Sequence, residues 1–94
     1  MRVRYTPNAR DCLVEIREYI SRKNPQAARR VITTIRQHTL SLITYPDVGR
    51  LGRCEGSREL VVSPYSYIVA YRIETDEVQI LAVVHTSMSW PEKF

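Results

Sequence analysis

Two pairs of a capping residue and proline govern what this chain can become. Threonine or asparagine followed by proline, at Thr6-Pro7 and again at Asn24-Pro25, offers a side-chain acceptor to a first helical turn. The proline then supplies a fixed φ and a missing N–H, both suited to the first helical position. Each pair opens a stretch with helical spacing. After the first, Ala9, Leu13, Ile16 and Ile20 recur on one face with Tyr19 beside them, while Arg10, Asp11, Arg17, Glu18 and Arg22 fall elsewhere on the wheel. After the second, Ala28, Ile32, Ile35 and Leu42 carry the pattern to about Tyr45, ahead of Pro46. The first helix stops near Lys23, so few residues separate the two and an antiparallel helical hairpin is expected.

From Arg58 onward the periodicity changes. Residues 58–62, 67–73 and 78–84 are short runs of β-branched and aromatic residues, broken at residues 63–66, which contain Pro64, and at Thr75-Asp76. A further short strand is expected over residues 2–5. Residues 46–57 hold all three glycines and read as an irregular loop. The order is therefore β-α-α-β-β-β, an α+β fold in which a helical hairpin packs on one face of an antiparallel sheet. At 94 residues the chain is expected to form a single domain spanning 1–94.

Strand parity divides the sheet into two faces. Leu60, Val62, Tyr67, Val69, Tyr71, Ile73, Val78, Ile80, Ala82 and Val84 form a nearly continuous apolar set that should meet the helices. The other face would carry Glu59, Val61, Ser63, Ile68, Ala70, Arg72, Gln79, Leu81, Val83 and His85. That mixture is too polar for a core and too apolar for a face without a partner, so a site is expected there.

The net charge of +4 hides an asymmetry: residues 1–53 carry +7 and residues 54–94 carry −3. Ten of the eleven bases in the first part are arginine, whose planar fork suits carboxylate and phosphate. An acidic protein segment or a nucleic-acid backbone is the natural partner, against the plain alternative of a solvated helix surface. The longest apolar run is residues 80–84 and the N-terminus lacks an apolar secretory segment, so neither membrane insertion nor secretion is expected and the chain is placed in the cytoplasm. Cys12 and Cys54 lack the paired spacing of a zinc or redox motif and read as free thiols. The two histidines stand 47 residues apart, so neither a metal nor another cofactor is expected.

Glu59, Arg72 and His85 are the candidate catalytic residues, since a carboxylate, a cation and an imidazole could serve as base, charge stabiliser and acid. Pairing Glu74 with Glu77 sets Arg72 opposite Gln79 and Ser66 opposite His85; pairing Ser63 with Ser66 sets Glu59 opposite Ala70. Glu59 and His85 then lie roughly 13 Å apart, too far for proton relay. Glu59 and Arg72 are left as an ordinary surface ion pair. Arg50, Arg53 and Arg58 flank the loop glycines and are candidates to grip phosphate or a target, and Trp90, like Phe94, could stack on a base or fill an interface.

The segments Gly49-Arg50-Leu51-Gly52-Arg53, Gly56-Ser57-Arg58-Glu59-Leu60-Val61-Val62, Tyr67-Ile68-Val69-Ala70-Tyr71-Arg72-Ile73, Val83-Val84-His85 and Trp90-Pro91 resemble the RelE/ParE toxin superfamily. The resemblance covers nearly the whole chain. It implies the toxin of a bacterial type II toxin-antitoxin (plasmid stabilisation) module, held by a cognate antitoxin with an acidic amphipathic segment. Two activities share that fold. RelE-like relatives cut messenger RNA on the ribosome with basic residues on the open sheet face, but the corresponding positions here are Glu59, Val61, Ile68 and Ser87. ParE-like relatives poison DNA gyrase by protein contact, which requires no catalytic set. The resemblance with those bases lost favours the gyrase inhibitor and leans away from an enzyme. A ribosome-dependent endoribonuclease is the alternative, and a non-toxic antitoxin-binding relative is a third.

Overall fold

The computed structural model describes residues 1–87 of the chain. Strand β1 (Arg2–Tyr5) is followed by helices α1 (Pro7–Ser21) and α2 (Pro25–Ser41), then by strands β2 (Arg50–Leu51), β3 (Arg58–Val62), β4 (Tyr67–Ile73) and β5 (Glu77–His85). Both cap-and-proline pairs start helices as their chemistry requires: Thr6 Oγ1 accepts the Ala9 N–H at 3.2 Å and Asn24 Oδ1 accepts the Ala27 N–H at 3.1 Å. Helix α2 ends four residues earlier than its apolar spacing suggests. Beyond Ser41 the chain tightens into successive turns, in which Leu42, Ile43 and Thr44 donate to Thr39, Leu40 and Ser41.

The sheet has the order β1-β5-β4-β3-β2. It is mixed rather than wholly antiparallel, because β1 lies parallel to β5, with Val3 opposite Val78 and Tyr5 opposite Ile80. The segment expected to be an irregular loop contributes β2, a two-residue edge strand pairing Arg50 with Glu59 and Leu51 with Arg58. The turn at residues 63–66 sets the β3–β4 register as expected, with Val62 opposite Tyr67 and Glu59 opposite Ala70. The helices and sheet enclose a core of Leu13, Val31, Ile32, Ile35, Val62, Val69, Tyr71, Val78, Ile80 and Val83.

One irregularity rearranges the last strand. Arg72 opposes Gln79 and Tyr71 opposes Ile80, but Ala70 opposes Ala82, so Leu81 is the extra residue of a β-bulge. Its position has a cause: β1 ends at Tyr5, opposite Ile80, and the start of α1 takes over that edge. There Thr6 Oγ1 donates to the Ile80 carbonyl at 2.9 Å and Asn8 Nδ2 to the Leu81 carbonyl at 2.8 Å. The extra residue reverses the parity expected for the end of β5. Val83 joins the main core, whereas Ala82 and Val84 form a second buried cluster with Ala70 and Leu81, bordered by Cys12. The face turned from the helices is therefore not an open mixed surface along its length. Ile68, Ala70, Ala82 and Val84 are all buried, which confines its polar groups to the other end.

A single buried phenol organises the connection into β2. Tyr71 Oη donates to the Pro46 carbonyl at 2.6 Å and accepts the Gly49 N–H at 2.9 Å. Burial, the larger influence, pushes its pKa up, against the Gly49 N–H and Arg58, which pull it down. Tyr71→Phe should cost about 1–3 kcal/mol in urea unfolding, because the buried Gly49 N–H loses its acceptor.

Candidate functional site

The polar end of the sheet face is built around one carboxylate. Glu59 is only 4% exposed, and both its oxygens are occupied. Oε1 accepts from Arg50 Nη2 at 3.2 Å, and Oε2 accepts the backbone N–H of Arg53 at 2.9 Å with Arg53 Nε 3.6 Å away. The β2–β3 pairing dictates the first contact, since Arg50 lies directly across from Glu59. The turn that follows β2 supplies the second: Gly52 N–H bonds the Ser57 carbonyl at 2.8 Å, folding Arg53 back over the strand. The expected surface pair of Glu59 with Arg72 is thus replaced by a buried carboxylate holding Arg50 and Arg53. Those guanidinium groups remain about half exposed, so the cluster is positive at its rim.

Arg72 shares this face and lies near Gly56, where an added Cβ would stand 3.8 Å from its Nε. Arg58 does not join it. Opposite Tyr71 on the helix side, it donates from Nη1 to the carbonyls of Gly49 at 2.8 Å and Asp47 at 3.2 Å, with the Asp47 carboxylate 3.7 Å from Nη2. It clasps the loop against β3.

His85 is separated from the other candidates twice over. The bulge carries it to the helix side, edge-on to Tyr67 with ring centroids 5.2 Å apart. It also lies about 17 Å from the Arg72 level, counting the five residues from Tyr67 to Arg72 along β4. Its Nδ1 accepts the Ser87 N–H at 3.1 Å and lies 2.7 Å from Ser87 Oγ, which in the neutral ring puts the proton on Nε2. Glu59, Arg72 and His85 therefore do not converge. Trp90 and Phe94 lie outside the described residues.

The polar end extends through residues that the sequence reading missed. Arg2 and Arg4 of β1 both reach Glu77, at 3.4 and 2.8 Å, and Gln79 Nε2 donates to the same carboxylate at 2.9 Å. Only the parallel β1–β5 pairing brings them together. Its signal in the sequence is weak: two arginines alternating through a four-residue strand. The Arg4 hydrogen bond, followed by that from Gln79, holds the Glu77 pKa below the usual carboxylate range. A carboxylate with a lowered folded pKa adds stability that is fully present above its unfolded pKa and lost as pH falls through the folded value. Acid unfolding should therefore begin below about pH 4.5, and Glu77→Gln should flatten that part of the Tm-against-pH curve while leaving its neutral part nearly unchanged.

Chemically, this end offers fixed cations and two committed carboxylates, Glu59 and Glu77. Arginine does not exchange protons in this pH range, and Glu59 spends its lone pairs on Arg50 and Arg53. Among the described residues no three His, Cys, Asp or Glu gather as metal ligands, and no helix is long and apolar enough to cross a membrane. Burial, the dominant influence, pushes the Cys12 thiol above its ordinary pKa, against a lowering contact with the Val83 backbone.

A helical hairpin packed on a five-stranded mixed sheet is the RelE/ParE-like fold. Residues 3–90 match the ParE toxin of the type II toxin-antitoxin system, parDE, and the chain belongs to that family. It is 43% identical over 91 residues to the Sinorhizobium fredii protein named "Putative toxin Y4kP", covering 97% of this chain and 94% of that one. Toxin RelE2 of Caulobacter vibrioides is 36% identical over 75 residues, or 80% of this chain and 83% of the relative. A chain of the chromosomal ParDE system from P. aeruginosa superposes with a TM-score of 0.82 at 22% identity, covering 93% of this chain and 97% of that one. A chain of the RelBE2 toxin-antitoxin complex from Mycobacterium tuberculosis gives 0.66 at 26% identity, with 89% and 95% covered.

Proposed function

We propose that this type II toxin arrests growth by binding DNA gyrase in the cytoplasm, and that a cognate antitoxin with an acidic amphipathic segment neutralises it. The observation that carries the reading is the state of Glu59. Cleaving RNA at a phosphodiester requires a base for the attacking hydroxyl and an acid for the leaving oxygen. The carboxylate at the arginine cluster is sealed by Arg50 and Arg53, and the histidine faces the other side of the sheet. What remains is a rigid, cation-rimmed surface suited to contact with another macromolecule. The ParE family match and the ParDE-like fold support the same choice.

A second reading is favoured by one specific finding, the 36% identity to a protein named Toxin RelE2. Inducing the chain alone in a bacterium separates the two. The expected outcome is DNA breakage and filamentation while protein synthesis continues at first. Rapid translational arrest with new transcript ends would establish the ribosome-dependent endoribonuclease instead. Unchanged growth would overturn both and leave a non-toxic antitoxin-binding relative.

A further inference from the structure

Between Glu18 and Asp47 the chain carries no Asp or Glu, yet Arg22, Lys23, Arg29, Arg30 and Arg36 all fall in that stretch. The structure sorts these charges. On α1 the exposed Arg10 and Arg17 share their helix with Asp11, Glu15 and Glu18, so that surface is compensated locally, as most solvated helix faces are. On α2 nothing compensates. Its first turn has no acidic residue, so the positive end of the helix is left unanswered.

One turn further on, Arg29 and Arg30 stand exposed with no ion pair or hydrogen-bond partner among the described residues. They line an open groove of about 500 Å³ whose other walls are Gln26, Thr33, Thr34 and the ring of Tyr65 from the β3–β4 turn. Among the described residues the groove therefore has two guanidinium forks, hydroxyl and amide groups, an aromatic wall and no carboxylate. Along the same stripe, one turn after Arg36, Leu40 is 58% exposed, followed by the partly exposed Ile43.

We propose that this groove seats an acidic peptide segment of the antitoxin, whose carboxylates engage Arg29 and Arg30 and whose apolar residue reaches Leu40. The proposal rests on the toxin-antitoxin reading above and adds the surface and the chemistry of its occupant. Charge complementarity selects the occupant: arginine forks bind carboxylates bidentately, and the exposed Leu40 and Ile43 on the same stripe add an apolar contact that suits a protein segment better than a sugar-phosphate chain.

Two probes test it: the product of the neighbouring reading frame, expected to be a small acidic protein, and a fluorescein-labelled 16-residue peptide of Glu and Leu at helical spacing. Dissociation constants are measured for the wild-type chain, R29E/R30E, R29Q/R30Q and, as a charge control on α1, R17E. All substituted side chains are exposed, and thermal melts check that each variant folds. At low salt R29E/R30E should weaken both probes by about 100-fold and R29Q/R30Q by about 10-fold. The differences should shrink in 0.5 M salt, and R17E should stay within about threefold of wild type.

Equal weakening by R17E, or R29E/R30E within threefold of wild type, would overturn the proposal. A 20-nucleotide single-stranded RNA that binds more tightly than the peptide and depends on the same two arginines would also overturn it, reassigning the groove to nucleic acid. If the adjacent-frame protein fails to bind while the peptide binds through Arg29 and Arg30, the acidic-segment surface stands and the neutralisation by that antitoxin proposed above falls.

Discussion

Gly49→Ala should lower the unfolding free energy by about 3–4 kcal/mol, read as a shift of the urea midpoint with little change in slope. The cause is space. A Cβ at this position would stand 2.5 Å from Tyr71 Oη, 2.7 Å from its ring and 2.9 Å from the backbone carbonyl of Glu59. The carbonyl belongs to a paired strand and the phenol is buried, so neither yields without cost. Overpacking alone accounts for about 1–3 kcal/mol. Displacing the phenol also weakens its bonds to Pro46 and Gly49, which adds about 1 kcal/mol or more. Because Arg58 grips the Gly49 carbonyl, the disturbance should reach β2 and loosen Arg50 and Arg53. A Gly49→Ala protein as stable as wild type would show that the loop is not built around Tyr71.

Glu59→Leu should cost about 2–3 kcal/mol in the same measurement. Breaking a fully buried ion pair costs about 3–5 kcal/mol, but here the guanidinium partners are half exposed and are solvated once released, so the ionic part is discounted. What remains is the orphaned backbone N–H of Arg53, worth about 1–3 kcal/mol. Glu59→Gln retains an acceptor and should cost about half as much. Releasing Arg50 and Arg53 also removes the internal negative charge. The binding of a single-stranded RNA should therefore become more salt-dependent, its slope steepening by roughly one phosphate contact. An unchanged slope would mean that Glu59 does not restrain these arginines.

Much of the fold was legible because local chemistry decided it. Thr6-Pro7 and Asn24-Pro25 started both helices, and the short turns at residues 63–66 and 75–76 set the registers that place Glu59 opposite Ala70 and Arg72 opposite Gln79. The errors arose where non-local contacts intervened. Alternation along β5 placed His85 with Arg72, but Thr6 and Asn8 capture the Ile80 and Leu81 carbonyls from a distant part of the chain, and the resulting bulge turns His85 to the other face. No pattern within residues 77–85 announces that. The same holds for β1, whose parallel pairing with β5 creates the Arg2–Arg4–Glu77 clasp. Strand parity singles out Glu59 on one sheet face with Arg72, but its partners are not legible because the β2 pairing that delivers Arg50 spans only two residues. The arginine count did point to the helical half, and the stripe on α2 is where that excess becomes a surface.

On the proposed function, the cationic end of the sheet serves contact with gyrase rather than phosphodiester chemistry. The most direct test adds purified chain to DNA gyrase and relaxed plasmid, and in parallel to translating ribosomes carrying end-labelled messenger RNA. Supercoiling should be inhibited, with accumulation of gyrase-linked DNA breaks, and the transcript should remain intact. Normal supercoiling together with transcript cleavage that disappears in Arg72→Ala or His85→Ala would instead make this chain a ribosome-dependent endoribonuclease.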